Sequence, residues 1–339
     1  MKMKYLVAAV LAFSAGLAQA TAVQFTFGYT DVAGYGFNDA TYGAQRRAAI
    51  EMAGTYWGSL LQASYAGETI SINVSFDSAS TANSPLSSTG VTNLYSNSQM
   101  DNKGLHNVTY SAPLAEHLAG RNLNGTSFDS SLKFNANVPT YLGLDGHPGS
   151  TEYDFFSYAL RGVGRTLGIN TRVDNGASAS GLSTMGLFYT QFDADTNATI
   201  RMPGIYDTFL VDGNGKSWLS MTQAERVAAQ TNGPLFWTGE NGNAQHGGVP
   251  LQVNAMPLRA NGTLDGAGIV YLAPSNSTLM THNGIVAGQA MGIDAQTAGM
   301  LVDMGWKLSV PLPVPEASTY AMLLAGLGMI GVMARRRSA

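Results

Sequence analysis

The chain has 339 residues, 40 of them glycine and none cysteine, and only 12% are charged. Disulfides and thiolate metal sites are excluded, and a formal net charge of −4 argues against nucleic acid or an anionic membrane surface as partner. The length suffices for one large domain or two subdomains, and a composition rich in Gly, Ser, Thr and Asn fits a loop-rich secreted protein. Residues 1–20 carry Lys2 and Lys4, an apolar run from Tyr5, and Ala18-Gln19-Ala20 as a small-residue cleavage site. This reads as a secretory signal cut after Ala20, the apolar run being short for a permanent span.

In the body, Gln24–Phe27 and Ile70–Phe76 alternate apolar and polar residues as half-buried strands do. Between them, Ala49, Met52, Tyr56, Trp57, Leu60 and Leu61 form a stripe that predicts a helix within 39–63. Residues 78–107 are polar without periodicity and read as a long connection. A helix is expected over 110–120, with Glu116-His117 as a surface pair, then a strand over 127–137 and a turn-dense run over 142–149. In 154–169, Phe155, Tyr158, Ala159, Val163 and Leu167 recur at helical spacing. The expected architecture is α+β: a twisted sheet with packed helices in a subdomain of residues 21–170, then a loop-rich subdomain of residues 171–309. The second half offers Asp212-Gly-Asn-Gly-Lys-Ser217, a turn rather than a calcium loop because the later Glu is missing. Thr222 and Glu225 then mark the cap of a short helix, and Ala298, Leu301 and Val302 mark a closing helix within 293–306.

Ala159-Leu-Arg-Gly-Val-Gly-Arg-Thr-Leu-Gly-Ile169 resembles the active-site helix of zinc metalloproteases, in which two histidines one turn apart bind zinc and the Glu after the first is the general base. Ser277-Thr-Leu-Met-Thr281 resembles the Met-turn of the metzincin group, with Met280 as its methionine, and Asp303-Met-Gly-Trp306 resembles the end of the family's closing helix. The runs Leu118-Ala-Gly120, Leu123-Asn-Gly125, Asp145-Gly146 and Asp154 are similar in order to the approach to that helix in exported bacterial metalloproteases. The resemblance spans 24–308 and implies a metzincin-like fold with a central, former zinc-binding helix.

On that alignment Arg161 and Arg165 stand at the two histidine positions, Gly162 at the glutamate, and Tyr271 at a third ligand position within Gly266–Pro274. A guanidinium has no lone pair for a cation and glycine has no carboxylate, so the resemblance implies an inactive, zinc-free relative in which no residue is assigned a catalytic or metal-binding role. Arg161 and Arg165 lie at i and i+4, on one helix face, where they could grip a carboxylate or phosphate, the anion of a polysaccharide or a peptide. The competing reading pairs them with acids such as Asp154 or Asp174, or turns them to water. Two functional alternatives stay open. One is an active zinc endopeptidase rebuilt from His106, His117, His147, His246 and His282; the other is a purely structural matrix or adhesion protein.

Residues 310–339 end in an apolar run, Tyr320–Ala334, closed by Arg335, Arg336 and Arg337. Together with Pro315-Glu316-Ala317 this resembles the PEP-CTERM sorting signal, whose box here lacks its second proline. The resemblance implies an exosortase-type processing partner, an inner-membrane helix before processing, and an envelope or extracellular destination. Without the two lysines of residues 1–20 and the three arginines and one glutamate after residue 314, the body carries a formal net charge of −8.

Overall fold

The computed structural model describes residues 21–80, 85–91, 93–176, 181–255, 257–258, 260, 262–263, 268–310 and 312. The expected signal peptide and the expected C-terminal helix lie outside the described residues. Within them, no helix is long and apolar enough to cross a membrane.

The fold is α+β. β1 (Gln24–Tyr29), α1 (Gly43–Leu60) and β2 (Thr69–Asp77) form a parallel strand–helix–strand unit, paired from Gln24↔Thr69 to Tyr29↔Val74. Such a connection needs a crossover long enough to hold a helix. β2 alternates half-buried and buried residues along its whole length, with Ile70, Ile72, Val74 and Phe76 inward. The next segment departs from expectation, because β3 (Leu86–Val91) lies inside the run read as a polar connection. It is an edge strand, antiparallel to a later strand. An edge strand is held by one ladder of backbone bonds, and here Leu86 is buried, so it needs no apolar alternation.

β4 (Leu94–Tyr95) and β5 (Tyr110–Ser111) pair antiparallel and lead into α2 (Ala112–Ala119), which Gly120 ends in the left-handed conformation at φ 74°. β6 (Ser130–Asn135) completes a sheet of order β1-β2-β6-β3, parallel to β2. β7 (Thr140–Tyr141) and β8 (Tyr153–Asp154) pair parallel and deliver the chain to α3 (Phe155–Thr166). Asp154 caps α3 by accepting from the Ser157 N–H at 2.8 Å, as Asp does at an N-cap. α1 and α3 pack side by side, α1 against β1 and α3 against β3 and β6. The indole N–H of Trp57 donates to the Leu160 carbonyl of α3 at 2.8 Å.

Beyond α3 the chain is loop-rich. The hairpin β9 (Thr190–Asp193)–β10 (Ala198–Arg201) precedes β11 (Leu210–Asp212), then α4 (Gln223–Asn232), β12 (Leu235–Trp237), α5 (Glu240–Ala244) and β13 (Gln252–Val253). β11, β12 and β13 form one small antiparallel sheet. Asp212 accepts from the Asn214 and Lys216 N–H groups in an ordinary turn, and Thr222 with Glu225 forms the expected capping box of α4. α6 (Ala295–Met304) closes the fold. Trp306 after it donates to the Leu167 carbonyl at 2.8 Å, and the Ser309 N–H donates to the Leu60 carbonyl at the end of α1, also at 2.8 Å. One hydrophobic cluster runs through the body, from Val23 to Trp306.

Candidate functional site

α3 is the most buried helix of the sheet layer, and both of its arginines are covered: Arg161 is 3% exposed and Arg165 8%. The segment that covers them is the loop carrying Tyr271 and the turn of residues 277–281. That turn is rigidly made. Ser277 adopts φ 50°, the Thr278 N–H donates to the Thr281 hydroxyl at 2.7 Å, and the Leu272 N–H donates to the Met280 carbonyl at 2.8 Å. Asp294 fixes it to α6, since one carboxylate oxygen accepts from the Leu279 N–H at 2.7 Å while the other caps α6 through the Thr297 N–H at 2.8 Å.

Arg161 is bound by backbone. Its Nε donates to the Leu279 carbonyl at 2.7 Å and its Nη2 to the Thr281 carbonyl at 2.9 Å, so it clamps the turn from both sides of Met280. Its guanidinium carbon also stands 5.3 Å from the ring centroids of both Tyr158 and Tyr271. Burial pushes its pKa down, and nearby Arg165 pushes the same way; a guanidinium starts so high that it stays charged. Arg165 has less. Its Nη1 donates to the Tyr271 hydroxyl at 3.2 Å and its guanidinium carbon lies 5.2 Å from the same ring, while its Nε is buried without a hydrogen-bond partner. Tyr271 is therefore the shared face of two cations.

Met280 fills the floor beneath α3. A Cβ on Gly164 would lie 2.6 Å from Met280 Cε and 2.7 Å from Trp57 Cζ2, so helix, methionine and indole meet only because this residue is glycine. Gly162 faces the other way. A Cβ there would meet Leu132 Cδ1 at 3.3 Å and Leu86 Cδ1 at 3.4 Å, which makes its surroundings apolar.

The structure thus brings Arg161, Arg165 and Tyr271 together over Met280, with Gly162 one residue away under β3 and β6. The open cleft lined by arginines does not occur. Among the described residues neither arginine pairs with an acid: Asp154 serves the cap of α3, and Asp174 accepts from the Gly176 N–H and the Thr184 hydroxyl. Nor do they face water. Backbone carbonyls and a phenol do the work instead, and neither leaves a trace in side-chain spacing. The sequence reading missed Asp294 and Gly164, although Asp294 with Thr297 has the form of a helix cap.

The residues at this centre do not fit zinc. Two guanidiniums and a phenol supply no ligand set for the ion, and among the described residues no three His, Cys, Asp or Glu side chains form a group that could hold a metal. The five histidines are dispersed: His106 lies beside Asp195, His147 beside Asp145, His246 against the Val249 carbonyl and His282 beside Tyr271.

His117 corrects a further expectation. It and its neighbour Glu116 are each 2% exposed, not a surface pair. α2 is buried on nearly all sides, so the charged residues of a short amphipathic-looking run are drawn inward. His117 Nδ1 lies 2.9 Å from Glu68 Oε1, and its ring lies against that of Trp306, tilted by 34° with 4.5 Å between centroids. Glu116 accepts from the Leu123 and Asn124 N–H groups, and burial raises its pKa to about 7.

Comparison with known proteins identifies one segment. Residues 313–337 match the PEP-CTERM protein-sorting motif. The motif marks the chain as an exported protein, bound for the cell envelope or beyond, and implies recognition by an exosortase-type processing enzyme. It covers Pro315 and Glu316. No curated protein and no solved structure matches the chain.

Proposed function

We propose that this exported protein is built on a metalloprotease-like, metzincin-type frame whose metal centre has been replaced by an arginine–tyrosine cluster, and that it works in the envelope or matrix without peptidase activity. The observation that carries the reading is convergence. Positions 161, 165 and 271, chosen from a sequence pattern, are more than a hundred residues apart in part, yet Arg161 and Arg165 both lie against Tyr271, with Met280 directly below. A chance pattern match gives no reason for these four residues to meet. The strand order β1-β2-β6-β3, with its antiparallel edge above α3, supports the same reading. The burial of both arginines removes them as a grip for a polymer, so a polysaccharide or peptide partner would have to use another surface.

The test is restoration. The fourfold variant Arg161→His, Gly162→Glu, Arg165→His and Tyr271→His should take up one zinc per chain, measured by metal mass spectrometry after dialysis, while the wild-type chain retains none. A restored variant that folds by circular dichroism and still holds no zinc counts against the frame. Zinc retained by the wild-type chain, together with proteolysis of a casein substrate, would instead establish the active peptidase.

A further inference from the structure

The two guanidiniums of α3 stand against one phenol ring, and among the described residues no carboxylate contacts either of them. Arg161 directs its Nε and one Nη to carbonyls. Arg165 spends one hydrogen bond on a neutral hydroxyl, and its Nε, buried within a side chain that is 8% exposed, points at nothing that can accept. A buried cation with an unmet donor is costly, and a second cation beside it adds to that cost. Positive charge drawn together under cover is a setting for negative charge.

We propose that Arg165 and Tyr271 bind one small monovalent anion of the chloride class, held by the Arg165 Nε–H and Nη–H edge in the field of Arg161. The proposal deepens the reading above and rests on its premise that the centre holds no metal ion. Size and charge narrow the ligand. Tyr271, like Arg165, is 8% exposed, so a chain-like anion such as an acidic polysaccharide has no way to lie across both. A multiply charged phosphate would surrender a far larger hydration energy on entering so dry a place, since ionic solvation rises with the square of the charge. A halide surrenders far less than a phosphate, and two or three donors can meet it. Bound there, it would neutralise one guanidinium and tie α3 more firmly to the loop of residues 271–281 that covers it. The protein would then be sensitive to the salt of the medium outside the cell, through a specific site and not through surface screening.

The experiment uses the full-length chain at constant ionic strength, with chloride replacing gluconate, and reads both Tm and the broadening of the chloride NMR signal. In the wild type, Tm should climb with chloride and then saturate, following the linkage of a ligand that binds only the folded state. Bromide should displace chloride and sharpen the NMR signal. In Arg165→Gln the midpoint should weaken by at least about tenfold, or the effect vanish. A wild-type Tm that ignores the exchange, with no competable broadening, overturns the proposal, and so does an unchanged midpoint in Arg165→Gln. If Arg165→Gln does not fold, Tyr271→Phe takes its place: the anion midpoint should weaken there too, and an unaltered one refutes the site. The result is separable from the zinc test. A restored variant that takes zinc beside a wild type blind to chloride keeps the frame and discards the anion site. Chloride binding beside a restored variant without zinc does the reverse.

Discussion

Two buried polar centres flank the core, and they solve the same problem in opposite ways. The first joins Glu68, His117, Glu116 and Asp129 around α2, and the second joins Arg161, Arg165 and Tyr271 around α3. In the first, each carboxylate has donors within reach: His117 and the Ser64 N–H for Glu68, two backbone N–H groups for Glu116, and Ser71 with Asn124 for Asp129. In the second, the charges are of one sign and the protein supplies only carbonyls and a hydroxyl. Burial of charge is thus no guide to its role. What separates the two centres is whether the chain completes its own hydrogen bonds, and only the α2 centre comes near to doing so.

Substitutions should widen that contrast. His117→Ala leaves Glu68 buried with only the Ser64 N–H as donor among the described residues, and a lost buried hydrogen bond costs about 1–3 kcal/mol; chemical denaturation should show a loss of that order, and a loss below about 0.5 kcal/mol would mean that the pair is not closed in solution. Glu116 predicts a pH dependence. Its pKa is raised from 4.5 to about 7 in the folded protein, so the folded state holds a proton that the unfolded state has released. Stability contributed by that protonation is complete below about pH 4.5 and is lost as the pH rises towards 7. Glu116→Gln keeps an acceptor for the Leu123 and Asn124 N–H groups and should flatten this slope in Tm-against-pH curves. An identical slope in the variant would assign it to other groups, Asp207 first, whose buried carboxyl is raised to about 6.

The arginine centre should respond in the opposite direction. Arg165→Met, in gluconate, removes a buried charge that satisfies no acid, and replacement of buried ionic groups by well-packed apolar ones is often neutral or stabilising. We expect stability at or up to about 1 kcal/mol above the wild type, whereas a loss of 3 kcal/mol or more would reveal an acidic partner. The smallest effect belongs to Tyr271→Phe, which removes the acceptor for Arg165 Nη1 but keeps the ring against the two guanidiniums. It should cost about 1 kcal/mol in gluconate, and a much larger loss would show that the hydroxyl holds more than this one bond.

Much of the sheet layer was legible in the sequence. β2 alternates strictly because one face lies under helices, and the apolar spacing of α3 announces its packed face, whereas Met52 and Tyr56 of the expected α1 stripe are exposed and Ile50 and Ala53 are buried instead. β3 was not legible, since its place is secured by backbone pairing with β6, from Leu86↔Phe134 to Val91↔Ser130, and such a ladder leaves no pattern in the sequence. α2 misled for a related reason. A helix enclosed on all sides loses the polar face that would mark its orientation, and Glu116-His117 then looks like that missing face. At the candidate site Arg161, Arg165 and Tyr271 could be named in advance, and the structure brings them into contact. Their partners could not, because main-chain carbonyls at Leu279 and Thr281 carry no residue identity.

The bond from Ser309 to the end of α1 also sets a distance. Only three residues separate Ser309 from the start of the sorting motif at residue 313, and the four steps between them reach at most about 14 Å when fully stretched. An enzyme that grips the first residues of the motif must therefore work close to Ser309. The body acts as a fixed bumper on a short leash, and the shape of its surface near α1 becomes part of what that enzyme has to accommodate.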